Sequence, residues 1–315
     1  VDIFRVRGGT QHDWMVHGTH AEFETDLHLS APRTEGTLAG ADVPYGYFYD
    51  DKRYDNDNAA HIPYHHYEGS AFQWLTNVQE AYLDGNATAS WRLNRPPELY
   101  PDRPREGVVL RAHMVGQGET VWVCNGAPQR KETWPDTLKF LFRRRVGGDL
   151  ESVYVTVFEP YKGKPFIKSV RPIATKAAED LPAALEVDCG DRTHVIFSRL
   201  DTPKGKGSTL SLDAGVVLDA RGAVLVRDAS DGIRPVYVLD GKVAQGSTPV
   251  AETAAAARSR VKHADYGSGQ VTLTGSALRG GSPAGSVAIV ESGRHADAVA
   301  VSKVIDRRTF FVGDE

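Results

Sequence analysis

The sequence predicts an all-β protein, a large antiparallel β-sandwich followed by a smaller β-rich C-terminal region. Short segments that alternate apolar and polar residues recur along the chain. Gly accounts for 31 and Pro for 17 of the 315 residues, and the apolar residues are chiefly Val, Leu and aromatics, which suit a pleated surface. Near residue 173 the sequence changes to a short Ala-rich stretch followed by short, closely spaced strand patterns. This change predicts a sandwich domain over 1–173 and a smaller β-rich domain over 174–315.

The composition excludes several classes of protein. Hydrophobic residues make up 41% and charged residues 25% of the chain, so disorder is excluded as a description of the whole. No run approaches the roughly 18–20 apolar residues that a membrane span needs, and we expect none. The 37 basic and 41 acidic side chains give a net charge of 37 − 41 = −4, which argues against nucleic acid as a partner.

The first third of the chain is predicted to hold two strands and a long loop. Residues 1–9 alternate as a half-buried strand does, and a second strand is predicted around 21–29. The stretch 30–68 is too long for a simple connection, so it is either functional or ordered by its aromatics. Because the chain begins inside a strand, we expect it to be part of a longer polypeptide; the alternative is an N-terminus left by processing.

Further strands are predicted on both sides of residue 173. The segment 153–158 has apolar residues on both faces and is typical of an interior strand. Ala251–Val261 is the best helix candidate, being rich in Ala with Glu early and Arg late. Asp231-Gly232 and Asp240-Gly241 are signals for hairpin turns. The other predicted strands are 71–75, 87–93, 107–115, 120–124, 194–200, 209–212, 216–218, 223–226, 235–239, 270–274, 286–290, 299–305 and 309–312.

The densest group of histidines lies in the long loop. His61 and His65 have the spacing of a helical metal-binding pair, but Pro63 between them breaks a helix. The loop could line a cleft that hydrogen-bonds sugar hydroxyls or neutralises a carboxylate; the alternative is a rigid aromatic loop packed on the sandwich. The candidate substrate-binding residues are Tyr64, His65, His66, Tyr67 and Trp74.

A second polar group follows the first strand. At strand spacing His12 and Trp14 face opposite to Asp13 and His17. A His–Asp pair this close occurs in catalytic and metal sites, whereas a satisfied network at a bend is the simpler interpretation. We therefore expect a structural network of His12, Asp13 and His17, and no metal site.

Three consecutive arginines, Arg143, Arg144 and Arg145, follow Phe140 in a predicted strand. Alternation is taken to place Arg144 inward and its neighbours outward. The outward guanidinium groups would either be solvated or bind an anionic polymer, because guanidinium matches carboxylate and sulfate.

The two cysteines, Cys124 and Cys189, have no zinc-binding spacing. Two separate buried thiols are the favoured interpretation, and a disulfide between them stays open. No complete nucleophilic triad is present in the sequence, so catalytic residues are unknown from these patterns.

Several segments resemble a known family. The opening Asp2-Ile3-Phe4-Arg5-Val6-x-Gly8-Gly9-x-x-His12-Asp13-Trp14-x-x-His17-Gly18 resembles a strand-and-turn motif in the C-terminal β-sandwich of heparinase II/III-like polysaccharide lyases. The related alginate lyases carry a similar strand followed by His and Asp. Further resemblance lies in Pro63–Tyr67, Phe72–Leu75 and Val155–Ile167.

The resemblance implies the C-terminal sandwich portion of an enzyme whose N-terminal domain is an α/α toroid. In this family uronic-acid polymers are cut between the two domains by β-elimination, with a Tyr or His as base and most catalytic residues on the toroid. The implied partners are an anionic polysaccharide and the toroid, and the implied location is secreted or periplasmic. No cofactor is evident in this chain, although the resemblance allows a structural zinc in the full-length enzyme. We expect little or no lyase activity from this chain alone.

Two alternatives stay open. A non-catalytic carbohydrate-binding or structural sandwich module would be favoured by exposed coplanar aromatics among Tyr45, Tyr47, Tyr49 and Trp74. A glycoside hydrolase would need two carboxylates facing each other across a cleft, and no pair in the sequence indicates one.

Overall fold

The fold is seen in a computed structural model. It describes residues 1–18, 22–46, 70–93, 107–127, 137–176, 178–201, 207–228, 232–252, 259–265, 267–275, 287–292 and 295–312.

The described residues form strands and two short 3-10 helices, Ala71–Trp74 and Asp213–Gly215, which confirms the all-β prediction. The strands are β1 (Asp2–Arg7), β2 (Gln11–His17), β3 (Phe23–Thr25), β4 (Leu75–Leu83), β5 (Asn86–Leu93), β6 (Val108–Val115), β7 (Glu119–Gly126), β8 (Leu138–Val146), β9 (Glu151–Lys162), β10 (Ser169–Pro172), β11 (Ala183–Asp188), β12 (Arg192–Ser198), β13 (Leu210–Ser211), β14 (Val216–Asp228), β15 (Ile233–Gln245), β16 (Thr248–Glu252), β17 (Val261–Asp265), β18 (Gln270–Leu273), β19 (Val287–Ser292), β20 (His295–Val304) and β21 (Thr309–Val312).

The N-terminal half is a β-sandwich of two antiparallel sheets. Sheet I has the strand order β1-β9-β6-β5-β3, and sheet II has the order β2-β8-β7-β4. Their facing sides enclose a core built from the alternate residues of each strand, as the two-residue period of a strand requires. The buried core residues are Trp14, Leu83, Ala87, Ala89, Trp91, Ala112, Met114, Val121, Val123, Leu141 and Tyr154.

Strand β9 is buried on both faces over much of its length, as the sequence predicts. Tyr154 points into the sandwich, while Val155 and Val157 point to the other side of sheet I. There they contact a third antiparallel sheet, sheet III, with the order β10-β11-β12-β14-β15-β16 and β13 paired to β14. Apolar residues from both sheets form this second core: Val115, Val155, Val157, Ile167, Val170, Ala183, Leu185 and Val187.

The chain divides into two compact units, 1–252 and 253–315. The first contains sheets I, II and III. The second contains sheet IV, with the order β17-β18-β21-β20-β19 and a small core of Val271, Leu273, Val301 and Phe310. The division of the chain at residue 173 stays a prediction.

The predicted helix over Ala251–Val261 falls mostly on residues 253–258, which lie outside the described residues; its first two residues end β16 and Val261 begins β17. Two local predictions are wrong. The predicted strand over 71–75 is a 3-10 helix up to Trp74. Asp240-Gly241 lies inside β15 and does not end a hairpin: Asp240 has φ 46°, and Gly241 pairs with Ala220 of β14.

Candidate functional site

The predicted substrate-binding residues fall into two groups. Tyr64, His65, His66 and Tyr67 lie outside the described residues. Trp74 is described and is half-buried at the end of the 3-10 helix. The amide of Gly46 donates to the backbone carbonyl of Gln73 (3.3 Å), so the chain just before the loop lies beside this helix.

Trp74 packs tightly against the chain that precedes the loop. Its ring meets the ring of Tyr45 edge-on, with centroids 5.4 Å apart and planes at 90°. A Cβ added to Gly46 would lie 2.9 Å from the indole, and Gly46 has φ 68°, so both space and backbone conformation favour glycine there. Tyr45 and Trp74 therefore do not form the coplanar platform that the binding-module alternative predicts. Tyr47 and Tyr49 lie outside the described residues.

The 3-10 helix leads directly into β4, at the edge of sheet II. Ser70 caps it by accepting a hydrogen bond from the amide of Phe72 (3.3 Å). Phe72 then packs edge-on against Phe142 of β8, with ring centroids 5.6 Å apart. The sequence Ser70–Trp74 thus positions the Trp74 region on the outer side of the sandwich.

We call the outer side of sheet II the aromatic face. The strand register sets Met15, Phe142, Trp122 and Glu80 side by side across β2, β8, β7 and β4. Part of the face is covered by Leu38 and by Phe72, and part is open. The outward side chains that define it are Asp13, Met15, His17, Glu80, Tyr82, Thr120, Trp122, Phe140, Phe142 and Arg144.

The open part of the aromatic face carries exposed apolar side chains. Met15 is 53% and Tyr82 is 70% exposed, although both lie on regular strands. Between them Trp122 is half-buried, and its indole N–H donates to Glu80 Oε2 (3.1 Å). Aromatic and polar groups side by side on one sheet surface are suited to binding a molecule with both apolar and hydroxyl-bearing sides, such as a sugar.

Arg144 is the cation of the aromatic face. Its Nε and Nη2 donate to the two carboxylate oxygens of Asp13, at 2.5 Å and 2.8 Å. Its guanidinium carbon lies 4.8 Å from the centroid of the Trp122 ring and 5.2 Å from that of the Phe72 ring. A bidentate pair held between rings has a fixed geometry, and the carboxylate neutralises much of the charge.

The predicted directions of the three arginines are reversed. Arg143 and Arg145 point into the sandwich and share Glu119, whereas Arg144 points outward. Arg143 is fully buried, and its Nε donates to Glu119 Oε1 (2.7 Å). Burial lowers the pKa of the Arg143 guanidinium, and the adjacent Glu119 carboxylate opposes that shift. Arg143 and Arg145 are therefore committed to the core and are not open to an anionic polymer.

The predicted network on β2 is divided between the two faces of the strand. His12 points inward, where its Nδ1 lies 2.9 Å from Ser152 Oγ and its Nε2 2.5 Å from the carbonyl oxygen of Gly8. Asp13 and His17 point outward, and the ring of His17 lies 4.6 Å from that of Phe140. The alternation predicted for β2 is confirmed, and the three residues are not brought together at one site.

The cysteines are separate free thiols. Cys124 is buried under the aromatic face, and burial raises its pKa to about 12, with Arg33 and Lys139 acting in the opposite direction. Cys189 is half-buried, and burial likewise raises its pKa. Neither thiol has the lowered pKa that a nucleophile requires.

In the part of the chain that the structure describes, no three residues of the types His, Cys, Asp and Glu are grouped so that they could hold a metal ion. Within the same residues, none of the helices has the length and apolar character to cross a membrane.

The sequence does not predict a polar group that lies on the other sheet of the sandwich. On the outer side of sheet I, Arg111 contacts Ser90 and Tyr161, and His113 contacts Glu159. The available signal was the alternation of β6, in which Arg111 and His113 share one face. Their partners come from strands distant in sequence, so the grouping depends on the sheet order β9-β6-β5.

No family model and no curated protein matches the chain.

Proposed function

We propose that this chain is the β-sandwich part of a polysaccharide lyase that cleaves uronic-acid-containing polysaccharide by β-elimination. In this proposal the aromatic face helps to bind the polymer, and an N-terminal α/α toroid supplies most of the catalytic groups. The proposal combines the resemblance of the first 173 residues to heparinase II/III-like lyases with the chemistry of the exposed sheet.

The aromatic face is the observation on which the proposal chiefly rests. It offers Trp122, Met15 and Tyr82 beside the Asp13–Arg144 pair on an open sheet surface. A sugar ring has apolar C–H faces that stack on aromatic rings and hydroxyls that hydrogen-bond to carboxylates and guanidinium groups. Trp74 directly precedes β4, the edge strand of the same sheet, and its ring lies against Gly46.

The segments that resemble the family also supply long-range contacts. Arg5 donates from Nε to the carbonyl of Leu181 (2.8 Å) and from Nη2 to that of Ser198 (2.9 Å), which ties β1 to sheet III. Glu159 accepts hydrogen bonds from the amides of Phe166 (2.6 Å) and Ile167 (2.7 Å), which fixes the turn after β9. Arg5 and Glu159, both in the resembling segments, therefore have structural roles in this chain.

β-Elimination requires a catalytic base and a catalytic acid, which in this proposal another domain supplies. A base removes the C5 proton of the uronate, the C4–O4 bond breaks as a C4–C5 double bond forms, and an acid protonates the departing O4. In the described residues no hydrogen bond joins a histidine ring to a tyrosine hydroxyl. In this proposal the chain binds and positions the polymer, and no catalytic residue is assigned to it.

The second candidate is a carbohydrate-binding module with no part in cleavage. The same aromatic face favours it, because stacking needs no proton transfer. The rings of Tyr45 and Trp74 are perpendicular, so they do not form a second, coplanar stacking surface beside that face.

The two candidates differ in the activity of the intact gene product. Both the chain and that product are incubated with glucuronate-, mannuronate- and iduronate-containing polymers, while ultraviolet absorbance follows the unsaturated product. We expect the intact product to cleave at least one polymer and the chain alone to cleave none. Binding without cleavage by the intact product would favour the module, and robust turnover by the chain alone would contradict the proposed division of labour.

A further inference from the structure

The outer side of sheet I carries a second group of polar side chains, away from the aromatic face. The register of β5, β6 and β9 places Ser90, Arg111 and Glu159 in one row across three neighbouring strands. Tyr161 is two residues after Glu159 in β9 and therefore lies on the same side of the sheet. All four side chains belong to regular strands, so their spacing is fixed by the sheet.

Arg111 is held in place by neutral partners. Its Nε donates to Ser90 Oγ (3.2 Å), and its Nη2 donates to the hydroxyl of Tyr161 (2.9 Å). Its guanidinium carbon also lies 5.1 Å from the centroid of the Tyr161 ring. An arginine has five N–H donors, and these two bonds leave three for a further acceptor.

The carboxylate nearest to Arg111 in the strand register, that of Glu159, already forms hydrogen bonds with other groups. Glu159, directly opposite Arg111, is fully buried and accepts from the amides of Phe166 and Ile167. Its second oxygen lies 2.9 Å from His113 Nε2. As far as the described residues extend, no carboxylate lies within ion-pair distance of Arg111, whereas Arg143, Arg144 and Arg145 each have one.

A small depression lined by Glu22, Glu24, Ser90, Arg92, Val109 and Tyr161 includes both hydrogen-bond partners of Arg111, although Arg111 itself does not line it. Its volume of about 20 Å³ holds one water-sized group, so a sugar ring stays outside it. Arg92 Nε lies 3.1 Å from Glu22 Oε2, and Arg92 Nη2 lies 3.7 Å from Glu24 Oε1. The positive charge of Arg92 therefore offsets part of the negative charge of the two glutamates.

We propose that Arg111, positioned by Ser90 and Tyr161, binds the carboxylate of an acidic sugar. The guanidinium matches a carboxylate with two parallel hydrogen bonds, and the rigid sheet lowers the entropy cost of holding it. The assignment of a sugar rests on the proposed function, whereas the assignment of a carboxylate rests on Arg111 and its neutral partners. The site is separate from the aromatic face and would hold a different part of the polymer.

The test is a titration of the chain with glucuronate, followed by NMR at the Nε–H group of Arg111. Glucuronate is compared with its methyl ester, which has the same ring without the charge. We expect glucuronate to shift the Arg111 signal and the ester to leave it unchanged. Arg111→Gln should weaken binding of glucuronate, measured on neighbouring backbone amides, by about tenfold or more.

Three variants sharpen the test. Tyr161→Phe keeps the ring and removes the hydroxyl that orients Arg111, so a loss of a few fold is expected. Glu24→Gln removes a negative charge from the rim and should tighten binding. Arg171→Gln, on sheet III, removes an exposed arginine paired with Glu186 and should leave binding unchanged.

The outcomes separate this inference from the proposed function. No shift at Arg111, or equal shifts with glucuronate and its ester, would overturn the inference even if the aromatic face binds acidic polysaccharide. A selective shift at Arg111 that Arg111→Gln abolishes would support the inference, including in a chain that binds no polysaccharide at the aromatic face. Selective binding at Arg111 in a chain whose aromatic face binds no polysaccharide would contradict the proposed function but not this inference.

Discussion

The two faces of strand β8 use neighbouring arginines in opposite ways. On the inner face Arg143 is fully buried, and its guanidinium is saturated by Glu119, the carbonyls of Val115 and Val155, and Thr156. On the outer face Arg144 is half-buried between rings and has one carboxylate partner, Asp13.

The difference shows how the position of a charge decides its role. A charge inside the sandwich must be fully hydrogen-bonded, because an unpaired buried charge costs far more than an exposed one. The inner arginines are therefore part of the architecture. The outer arginine is next to solvent and to exposed Met15, so its surroundings can change when a ligand binds.

The largest effect is expected on the inner face. Glu119→Gln leaves Arg143 and Arg145 without their shared carboxylate, and we expect it to lower the free energy of unfolding by about 3–5 kcal/mol. Urea unfolding measures this change. Glu80→Gln, at an exposed position of the same sheet, is the control and should stay within about 0.5 kcal/mol of the wild type. Equal effects of the two substitutions would contradict the distinction between the faces.

The next effect is expected on the outer face, in binding. Trp122→Ala removes the central ring of the aromatic face and should weaken binding of an acidic oligosaccharide by about tenfold, which is about 1.4 kcal/mol. Trp122→Phe keeps an aromatic surface and should retain most of the affinity. Isothermal titration calorimetry measures both variants. If Trp122→Ala binds as tightly as the wild type, the aromatic face is not the binding surface.

Cys124 sharpens the comparison, because it points to the outer side of sheet II yet is fully buried. Its pKa is raised from 9.0 to about 12, so the folded state keeps the thiol protonated while the unfolded state ionises above pH 9. Its contribution to stability is thus complete below pH 9 and falls as the pH rises toward 12, by about 1 kcal/mol at pH 10.

The measurement is the difference in unfolding free energy between wild type and Cys124→Ala at pH 8 and pH 10. The cavity left by the substitution is the same at both values and cancels. We expect the wild type to lose more stability than the variant over this interval. A pH-independent difference would mean that the cover over Cys124 admits solvent.

The smallest effects are expected from the half-buried Asp13–Arg144 ion pair of the outer face. Asp13→Asn leaves the charge of Arg144 without its carboxylate partner and should strengthen binding of acidic polysaccharide a few fold, whereas Arg144→Gln should weaken it. Each should change stability by about 1 kcal/mol or less. Binding to an acidic and a neutral polymer of similar length measures the change. Effects in the same direction from both substitutions would show that the pair acts only through the structure of the face.

The sequence correctly predicts how the side chains of β2 and β9 are divided between the two faces of each strand. It does not do so for β8. In β2 the alternation assigns His12 and Asp13 to opposite faces, as observed. In β8 the aromatic Phe142 lies on the outer side, where residues from distant segments cover it. Because both faces of β8 meet apolar partners, its pattern does not indicate which side is the core.

The candidate sites depend even more on distant partners. The sequence singles out Trp74 as a candidate, but its perpendicular contact with Tyr45 depends on how the chain returns to sheet II. Arg111 was not singled out, because its partners Ser90 and Tyr161 lie on neighbouring strands that are 21 and 50 residues away in sequence. Sheet order, which local patterns do not encode, brings them together.

The central claim is that the aromatic face binds acidic polysaccharide without cleaving it, and the indole N–H signals of the chain test it most directly. The chain is titrated with a uronic-acid oligosaccharide while NMR follows Trp122, whose N–H donates to Glu80, and the core residues Trp14 and Trp91. We predict that the Trp122 signal shifts, that those of Trp14 and Trp91 do not, and that no unsaturated product forms. An unchanged Trp122 signal at saturating ligand, or release of unsaturated product by the chain alone, would contradict the account.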